Sequence, residues 1–183
     1  MRYVVRIKDL DLKYSKLPSF FLSGFSYSNY GGDRDDRNST SAYVFSIGLG
    51  AISWASKKRP TVSLSTIEVE YRAMFVATQE AIWLRHLLKE IGYGQSDPYS
   101  ISLDNQLAIS LAKNPIFHQR TKHVEIQAHF IREKVLDGII HLEYYPSILN
   151  SIDLFTKPLL KAQFSKLSDA IGLVKLPSRG SEG

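Results

Sequence analysis

The sequence predicts an α/β fold with a mixed β-sheet, and three observations support this prediction. Strand-like segments rich in apolar and aromatic residues alternate with segments that have helical periodicity. The first strand-like segments follow one another directly, which is typical of an antiparallel start, whereas the later ones are separated by helices, which is typical of parallel crossovers. With 183 residues, the chain is long enough for one domain with an apolar core.

The first half of the predicted sheet comes from segments that lie close together in the sequence. Residues 20–28 alternate sufficiently for a strand, and residues 41–48 and 50–56 are apolar and rich in β-branched or aromatic residues. Glycines between the latter two favour a hairpin. Residues 61–65 are predicted to complete this part of the sheet.

A long amphipathic helix is predicted after these strands. Ser65 and Glu68 form a capping-box pattern at its start, and glycines at 92 and 94 mark its end. The apolar residues recur at intervals of three and four, at Ala73, Ala77, Ala81, Leu84, Leu88 and Ile91. The same periodicity assigns Trp83 to the core, and Trp54 is likewise expected to be a core residue of its strand.

The second half of the chain alternates between strands and helices. The predicted order is a strand over 100–104, a helix over 105–114, a helix over 123–136, a strand over 139–145, a short helix near Asn150 and a last helix over 162–172. Prolines at 115 and 146 end two of these elements. The predicted domain therefore covers residues 20–175, with a leader over 1–19 and a disordered tail over 176–183.

Composition excludes several classes of function. The chain has no cysteine, so disulfides, thiolate zinc sites and cysteine nucleophiles are ruled out, and a reducing compartment is compatible with this composition. No apolar run approaches the ~18 residues of a membrane helix, so no membrane association is expected. The net charge of +5 favours a polyanionic partner such as nucleic acid. The basic residues form two clusters, Lys57, Lys58 and Arg59, and Arg120, Lys122 and His123, and a third group along the C-terminal region, Lys157, Lys161, Lys166 and Lys175.

Three acidic residues lie at the ends of predicted elements. Asp104 ends a strand, Glu70 lies early in the long helix, and Asp153 begins a late helix. Hydrolysis of a phosphodiester by two metal ions needs carboxylates from different elements at one point, because Mg²⁺ prefers oxygen ligands. From spacing alone, the alternative that these are solvated surface groups stays open.

Several segments closely resemble the ribonuclease H domain of copia-type retrotransposon polyproteins. They are GDRDDRNSTSAYVF (32–45), AISWASKKRPTVSLSTIEVEYRA (51–73), EAIWLRHLLKEIG (80–92), DNQLAISLAKNPIFHQRTKHVEIQAHFIRE (104–133) and DLFTKPL (153–159). The resemblance implies a ribonuclease H-like fold with a mixed five-stranded sheet flanked by helices. It also implies that residues 1–19 are a remnant of the junction that follows the reverse transcriptase.

The resemblance also implies site residues. The glutamate of the family's Glu-Tyr pair matches Glu70, the aspartate before Asn-Gln matches Asp104, and the aspartate before Thr-Lys-Pro-Leu matches Asp153. The family's fourth carboxylate belongs to a Ser-Asp-Ala-Asp pattern, which here reads Ser26-Tyr27-Ser28-Asn29. Tyr27 therefore stands in place of a catalytic aspartate, and Asn29 in place of the second aspartate.

The implied activity is Mg²⁺-dependent cleavage of the RNA strand of RNA/DNA hybrids by two-metal catalysis. Tyr27 predicts that this activity is impaired, because a phenol is neutral at pH 7 and binds Mg²⁺ poorly. The alternatives are an inactive module that still binds nucleic acid through Lys57, Lys58, Arg59, Arg120, Lys122 and His123, or a non-functional retroelement remnant. The implied partners are RNA/DNA hybrid or another nucleic acid and a reverse transcriptase domain.

Overall fold

The structure is a computed structural model, and it describes residues 9–14, 21–29, 38–58, 66–113, 122–146 and 159–175. Within these ranges the strands are β1 Leu10–Leu12, β2 Leu22–Asn29, β3 Thr40–Ile47, β4 Gly50–Lys58, β5 Tyr99–Leu103, β6 Ile140–Tyr144 and β7 Leu173–Lys175. The helices are α1 Thr66–Glu90, α2 Gln106–Lys113, α3 Lys122–Leu136 and α4 Lys161–Ala170.

The main sheet has five strands in the order β4-β3-β2-β5-β6. Neighbouring strands are antiparallel from β4 to β2, and parallel from β2 through β5 to β6. The predicted mixed five-stranded sheet is confirmed. Because β2, β4, β5 and β6 all run in one direction, their last residues meet at one side of the sheet, here called the carboxyl edge.

One face of the sheet is covered by α1, α2 and α3, which share a continuous apolar core with it. The alanines of α1 at 73, 77 and 81 are buried, and their small side chains let the helix lie close to the strands. The predicted core stripe of α1 is confirmed as far as Leu88. Ile91 lies beyond the helix and is exposed, which the helical periodicity did not predict.

Both tryptophans lie on the surface, so the prediction that they are core residues is wrong. Trp54 is 51% exposed and Trp83 is 55% exposed. Trp83 precedes the buried Leu84 and therefore lies off the core-facing stripe of α1. Trp54 is paired with the buried Val44, but β4 is an edge strand whose outer residues are only partly covered.

The opposite face of the sheet carries a second apolar cluster. It comprises Tyr27, Ala42, Val44, Ala51 and Ile171, with Leu12, Phe25 and Leu173 packed against it. Strand alternation explains the division, because Phe45 lies in the first cluster while its neighbour Val44 lies in the second.

A separate pair of strands lies against this second cluster. β1 and β7 pair antiparallel, and the Tyr14 hydroxyl donates a 2.6 Å hydrogen bond to the carbonyl of Ala51. Residues 10–14, which the sequence assigns to the leader, thus contact the body of the domain. The derivation of residues 1–19 from a polyprotein junction stays a prediction. β7 was not predicted, since the last helix was expected to continue to residue 172.

Some predicted features lie outside the described residues. These are the strand over 61–65, the Ser65 cap, the short helix near Asn150 and the tail over 176–183. The described helices include none that is both long enough and apolar enough to cross a membrane.

Candidate active site

Glu70 is a carboxylate held inside the protein rather than in solvent. It lies in the second turn of α1 on the side that faces the sheet and is only 8% exposed. Burial, followed by the negative charge of Asp104, raises the pKa of Glu70 to about 7. Ser28 and Asn105 lower the pKa of Glu70, because hydrogen bonding from their polar side chains favours the charged carboxylate. Glu70 is therefore held in a polar but poorly solvated position beside a second carboxylate.

Asp104 directly follows β5, and the residue after it orients this part of the chain. The Asn105 side-chain oxygen accepts a 3.1 Å hydrogen bond from the backbone N–H of Ala108, so Asn105 caps the N-terminus of α2. The Asn105 side chain also interacts with the Glu70 carboxyl group by hydrogen bonding, which lowers the pKa of Glu70. Asn105 thereby links α1, β5 and α2 at the carboxyl edge.

β2 brings two serines to the same face of the sheet as Glu70. Ser26 is 1% exposed and Ser28 is 7% exposed, and along the strand they alternate with Phe25 and Tyr27 of the second cluster. Within the described residues, Ser26 Oγ, Ser28 Oγ and Glu70 Oε2 are buried oxygens without a hydrogen-bond partner. The Ser28 hydroxyl lies close enough to the Glu70 carboxylate to lower its pKa, but the geometry between them falls short of a standard hydrogen bond.

Tyr27 packs as a core residue. It is 7% exposed and lies in the second cluster, directly opposite Ala42 on β3. Its ring is thus on the sheet face that faces Ile171, whereas Glu70 approaches from the other face. The family's aspartate at this position, by resemblance, would lie with the other carboxylates, so the structure departs from that implication. Strand alternation is the reason, since Ser26 and Ser28 face α1.

The described part of the site suits a cation. Two neighbouring carboxylates repel each other in the absence of a positive charge, and a buried carboxylate oxygen without a donor is costly. Hard oxygen donors of this kind match Mg²⁺ or Mn²⁺. The described residues contain no group of three or more His, Asp or Glu side chains able to hold a metal ion. Asp153, the predicted third carboxylate, lies outside them.

Two of the predicted nucleic-acid-binding residues lie at the carboxyl edge. Lys57 and Lys58 are exposed at the end of β4. The register aligns Ser28, Ser41 and Lys57 in one row across β2, β3 and β4, so Lys57 shares the α1 face with Ser28. Two strand spacings separate their backbones by roughly 10 Å.

The other basic residues are less informative. Arg59 and Arg120 lie outside the described residues. Lys122 and His123 form the start of α3, but only their backbone is described.

Sequence reasoning missed two residues of this site. Asn105 was quoted only as part of a motif, although an asparagine between a strand and a helix is a recognisable N-cap signal. Ser28 was counted only as part of a degenerate motif. The period of two in β2 would have assigned Ser28 and Tyr27 to opposite faces.

Comparisons with known proteins agree with this architecture. The chain is 36% identical over 177 residues to the retrovirus-related Pol polyprotein from transposon RE2 of Arabidopsis thaliana, matching 97% of this chain and 12% of the relative. It is 38% identical over 152 residues to the corresponding polyprotein from transposon TNT 1-94 of Nicotiana tabacum, matching 83% of this chain and 11% of the relative. The chain thus spans only about an eighth or less of these relatives. No family model matches it.

The fold has counterparts among solved structures. The N-terminal ribonuclease H domain of a Mycobacterium tuberculosis protein, solved as a fusion with maltose binding protein, superposes with a TM-score of 0.51. The superposition covers 83% of this chain and 99% of that chain at 11% sequence identity. This similarity shows the shared fold.

Proposed function

Because this chain is homologous to one segment of the retrovirus-related Pol polyproteins of plant transposons and has a ribonuclease H-like fold, we propose that it is a ribonuclease H domain with an impaired active site. The ancestral reaction is hydrolysis of the RNA strand of an RNA/DNA hybrid. The present chain retains part of the catalytic cluster and the adjacent basic surface.

The proposal depends on one observation above all. Glu70 and Asp104 are 34 residues apart in the sequence, yet the charge of Asp104 acts directly on the buried Glu70 carboxylate. They are the two described residues that match the family's catalytic acids. A carboxylate that had drifted without a role would have no reason to be buried next to a second carboxylate, because desolvation and mutual repulsion both oppose this.

Mg²⁺ is the cofactor that the resemblance implies, with Glu70, Asp104 and Asp153 as its candidate ligands. When bound, such ions activate water and stabilise the leaving oxygen of the phosphodiester. In this chain, Glu70 and Asp104 would supply negative oxygens, and Asn105 would orient Glu70 while capping α2.

Tyr27 supports the impairment. By resemblance, the site loses one of four carboxylates, so its formal charge falls from −4 to −3. The phenol of tyrosine has an ordinary pKa of about 10 and stays neutral at pH 7. Its ring fills an apolar cluster, so position 27 contributes to packing. Loss of even an indirect partner of a metal typically lowers affinity or activity about 10–100-fold, and loss of a direct ligand should cost more.

A second candidate function is binding of nucleic acid without cleavage. Lys57 and Lys58 are exposed at the carboxyl edge, in the same rows of the sheet as the end of β2. Such a pair suits the phosphate backbone of a hybrid that passes the carboxylates. In this function a reverse transcriptase domain would be the partner that supplies the substrate. A remnant without any selected role is the remaining alternative.

A cleavage assay separates these functions. The purified chain is incubated with an end-labelled RNA/DNA hybrid, with and without Mg²⁺, alongside Asp104→Asn. The impaired enzyme shows weak Mg²⁺-dependent cleavage that Asp104→Asn removes. A binding module retains hybrid in a filter or gel assay without cleaving it. A chain that neither binds nor cleaves at low salt would refute both functions.

A further inference from the structure

Trp54 is a large aromatic residue on the surface of an edge strand, and the proposed active site does not use it. It is 51% exposed. β4 is an outer strand of the main sheet, and Trp54 lies opposite the buried Val44 of β3. Val44 belongs to the second cluster, so the Trp54 side chain projects from the sheet face opposite α1. The indole is thus accessible from solvent on the side of the sheet away from Glu70.

The surface of β4 around this ring is polar and basic. Ser56 and Lys58 follow Trp54 at intervals of two, so the three side chains lie on one face of the strand, and all three residues are exposed. Four residues separate Lys58 from Trp54, a backbone distance of roughly 13 Å. β4 contains no acidic residue. A nucleic-acid strand binds to such a surface because an aromatic ring stacks on a base and an ammonium group contacts a phosphate.

A protein strand added to this edge is the competing explanation for an exposed aromatic residue. Edge strands pair with other chains through backbone groups, and lysines on an edge strand oppose such pairing. β4 ends in Lys57 and Lys58, and the chain has a net charge of +5. Like charges oppose the approach of a second copy of the chain, whereas they attract a polyanion. Charge complementarity therefore favours nucleic acid as the occupant.

The chemistry of stacking indicates which form of nucleic acid fits. Neighbouring bases cover both faces of a base inside a duplex, whereas an unpaired base offers its π-face to an aromatic side chain. Lys57 shares the α1 face with Ser28, and Lys58 lies on the opposite face. A strand that turns around the end of β4 therefore passes from the side of Glu70 to the side of Trp54.

We propose that Trp54 and Lys58 form a binding site for single-stranded nucleic acid on the sheet face opposite α1, with Trp54 stacking on a base. The site accepts RNA and DNA alike, because every base has a π-face. It rests on the proposed function in one respect, since it holds the unpaired continuation of a strand whose hybrid part lies at the carboxyl edge. Stacking on an isolated oligonucleotide requires neither Glu70 nor a metal ion.

The two tryptophans of the chain provide a direct measurement. Trp83→Phe leaves Trp54 as the single indole, and Trp54→Phe leaves Trp83, which is similarly exposed on α1. Each full-length variant is titrated in chelator with oligo(dT) and with oligo(U) while indole fluorescence is recorded. Stacking on a base quenches an indole, so we expect saturable quenching by both oligonucleotides in Trp83→Phe and none in Trp54→Phe.

The affinity for the same oligonucleotides, labelled and followed by fluorescence anisotropy, provides a second measurement. Trp54→Leu removes the aromatic face but keeps an apolar side chain, and it should weaken binding at least about 5-fold, the lower end of the effect of removing a stacking ring. Trp54→Tyr keeps a ring and should retain most of the affinity. Trp83→Leu is the matched control and should change the affinity by less than about twofold.

Three outcomes would overturn the proposal. The first is a folded Trp83→Phe variant whose fluorescence neither oligonucleotide quenches at low salt. The second is a Trp54→Leu variant that binds both oligonucleotides as tightly as the wild type. The third is a wild-type dimer in sedimentation that Trp54→Leu dissociates, which would make a second copy the occupant of this edge.

Binding and cleavage of RNA/DNA hybrid are scored separately on the same variants. A chain that binds or cleaves hybrid but shows no quenching of Trp54 lacks only the single-strand site. A chain that shows this quenching but neither binds nor cleaves hybrid refutes the proposed function and retains the single-strand site. The two failures are therefore distinguishable.

Discussion

Glu70 and Asp104 form a pair of neighbouring carboxylates at the carboxyl edge, one on a helix and one at a strand end. Their proximity has a measurable consequence without any metal. Burial and the charge of Asp104 raise the pKa of Glu70 from 4.5 to about 7, so folded protein holds this proton more tightly than unfolded protein.

The first prediction is therefore a loss of stability with rising pH. A raised pKa in the folded state stabilises the protein at low pH, and this contribution is lost as pH rises from about 4.5 to about 7. In chelator, the unfolding free energy of the wild type should fall over this range by on the order of 3 kcal/mol relative to Glu70→Gln. Urea unfolding at a series of pH values measures the difference. A difference that stays constant with pH would contradict the raised pKa.

The second prediction concerns the packing of Tyr27. Because the ring lies in the second cluster, Tyr27→Ala should lower the unfolding free energy by about 3–5 kcal/mol, the range seen for removal of buried aromatic rings. Tyr27→Phe keeps the ring and should cost about 1 kcal/mol or less. Urea unfolding of both variants tests this. Similar stability of Tyr27→Ala and the wild type would show that the ring is not a core element.

The third prediction is a rescue of cleavage. The wild type should show little or no Mg²⁺-dependent cleavage of hybrid. Tyr27→Asp restores the family's acid at position 27, and it increases cleavage by roughly 100-fold or more only if the end of β2 turns this side chain from the second cluster to the side of Glu70. A carboxylate that stays in the second cluster gives no gain. The variant also loses the packing of the ring, so the assay is run at low temperature after circular dichroism has confirmed folding.

Adding Asp104→Asn to Tyr27→Asp is the control for this rescue, and it should remove the gain. Robust cleavage by the wild type would show that Tyr27 is tolerated. A folded Tyr27→Asp variant without cleavage would show either that position 27 keeps facing the second cluster or that the loss of function extends beyond this position.

The fourth prediction concerns binding of nucleic acid. If Lys57 and Lys58 contact phosphates, replacing both with glutamine should reduce the slope of log affinity against log salt by about 2. Lys89→Gln is the matched control, because Lys89 is exposed near the far end of α1, about 28 Å along the helix from Glu70. Fluorescence anisotropy with a labelled hybrid in chelator measures both slopes. Equal slopes for the double variant and the wild type would argue against a phosphate contact here.

The fifth prediction tests the attachment of the β1–β7 pair. Gly172 has φ +79, and an added Cβ would lie 2.8 Å from the Leu49 carbonyl oxygen and 3.1 Å from Gly50 Cα. Gly92 has φ +85 but nothing within 4 Å of an added Cβ. Gly92→Ala should therefore cost about 1–2 kcal/mol for the left-handed backbone alone, and Gly172→Ala clearly more. Equal losses of stability in thermal unfolding would mean that β7 does not pack against the turn between β3 and β4.

The sequence by itself determined the fold class and the positions of the main acids. Apolar periodicity predicted α1 and its buried stripe, and turn residues and prolines delimited most strands. The order of the family motifs identified Glu70 and Asp104. The predicted long helix then placed Glu70 and the end of the predicted strand placed Asp104. These features are local, since period and breakers are properties of neighbouring residues in the chain.

Only the tertiary structure decided which face each side chain occupies and what covers it. Tyr27 is a core residue because Ala42 and Ile171 surround it, and Trp54 and Trp83 are exposed because no described element covers them. The pairing of β1 with β7 joins segments more than 160 residues apart. The raised pKa of Glu70 likewise comes first from its burial and then from the charge of Asp104 on another element. Burial, long-range pairing and charge coupling depend on distances between elements, and a local sequence pattern carries no information about those distances.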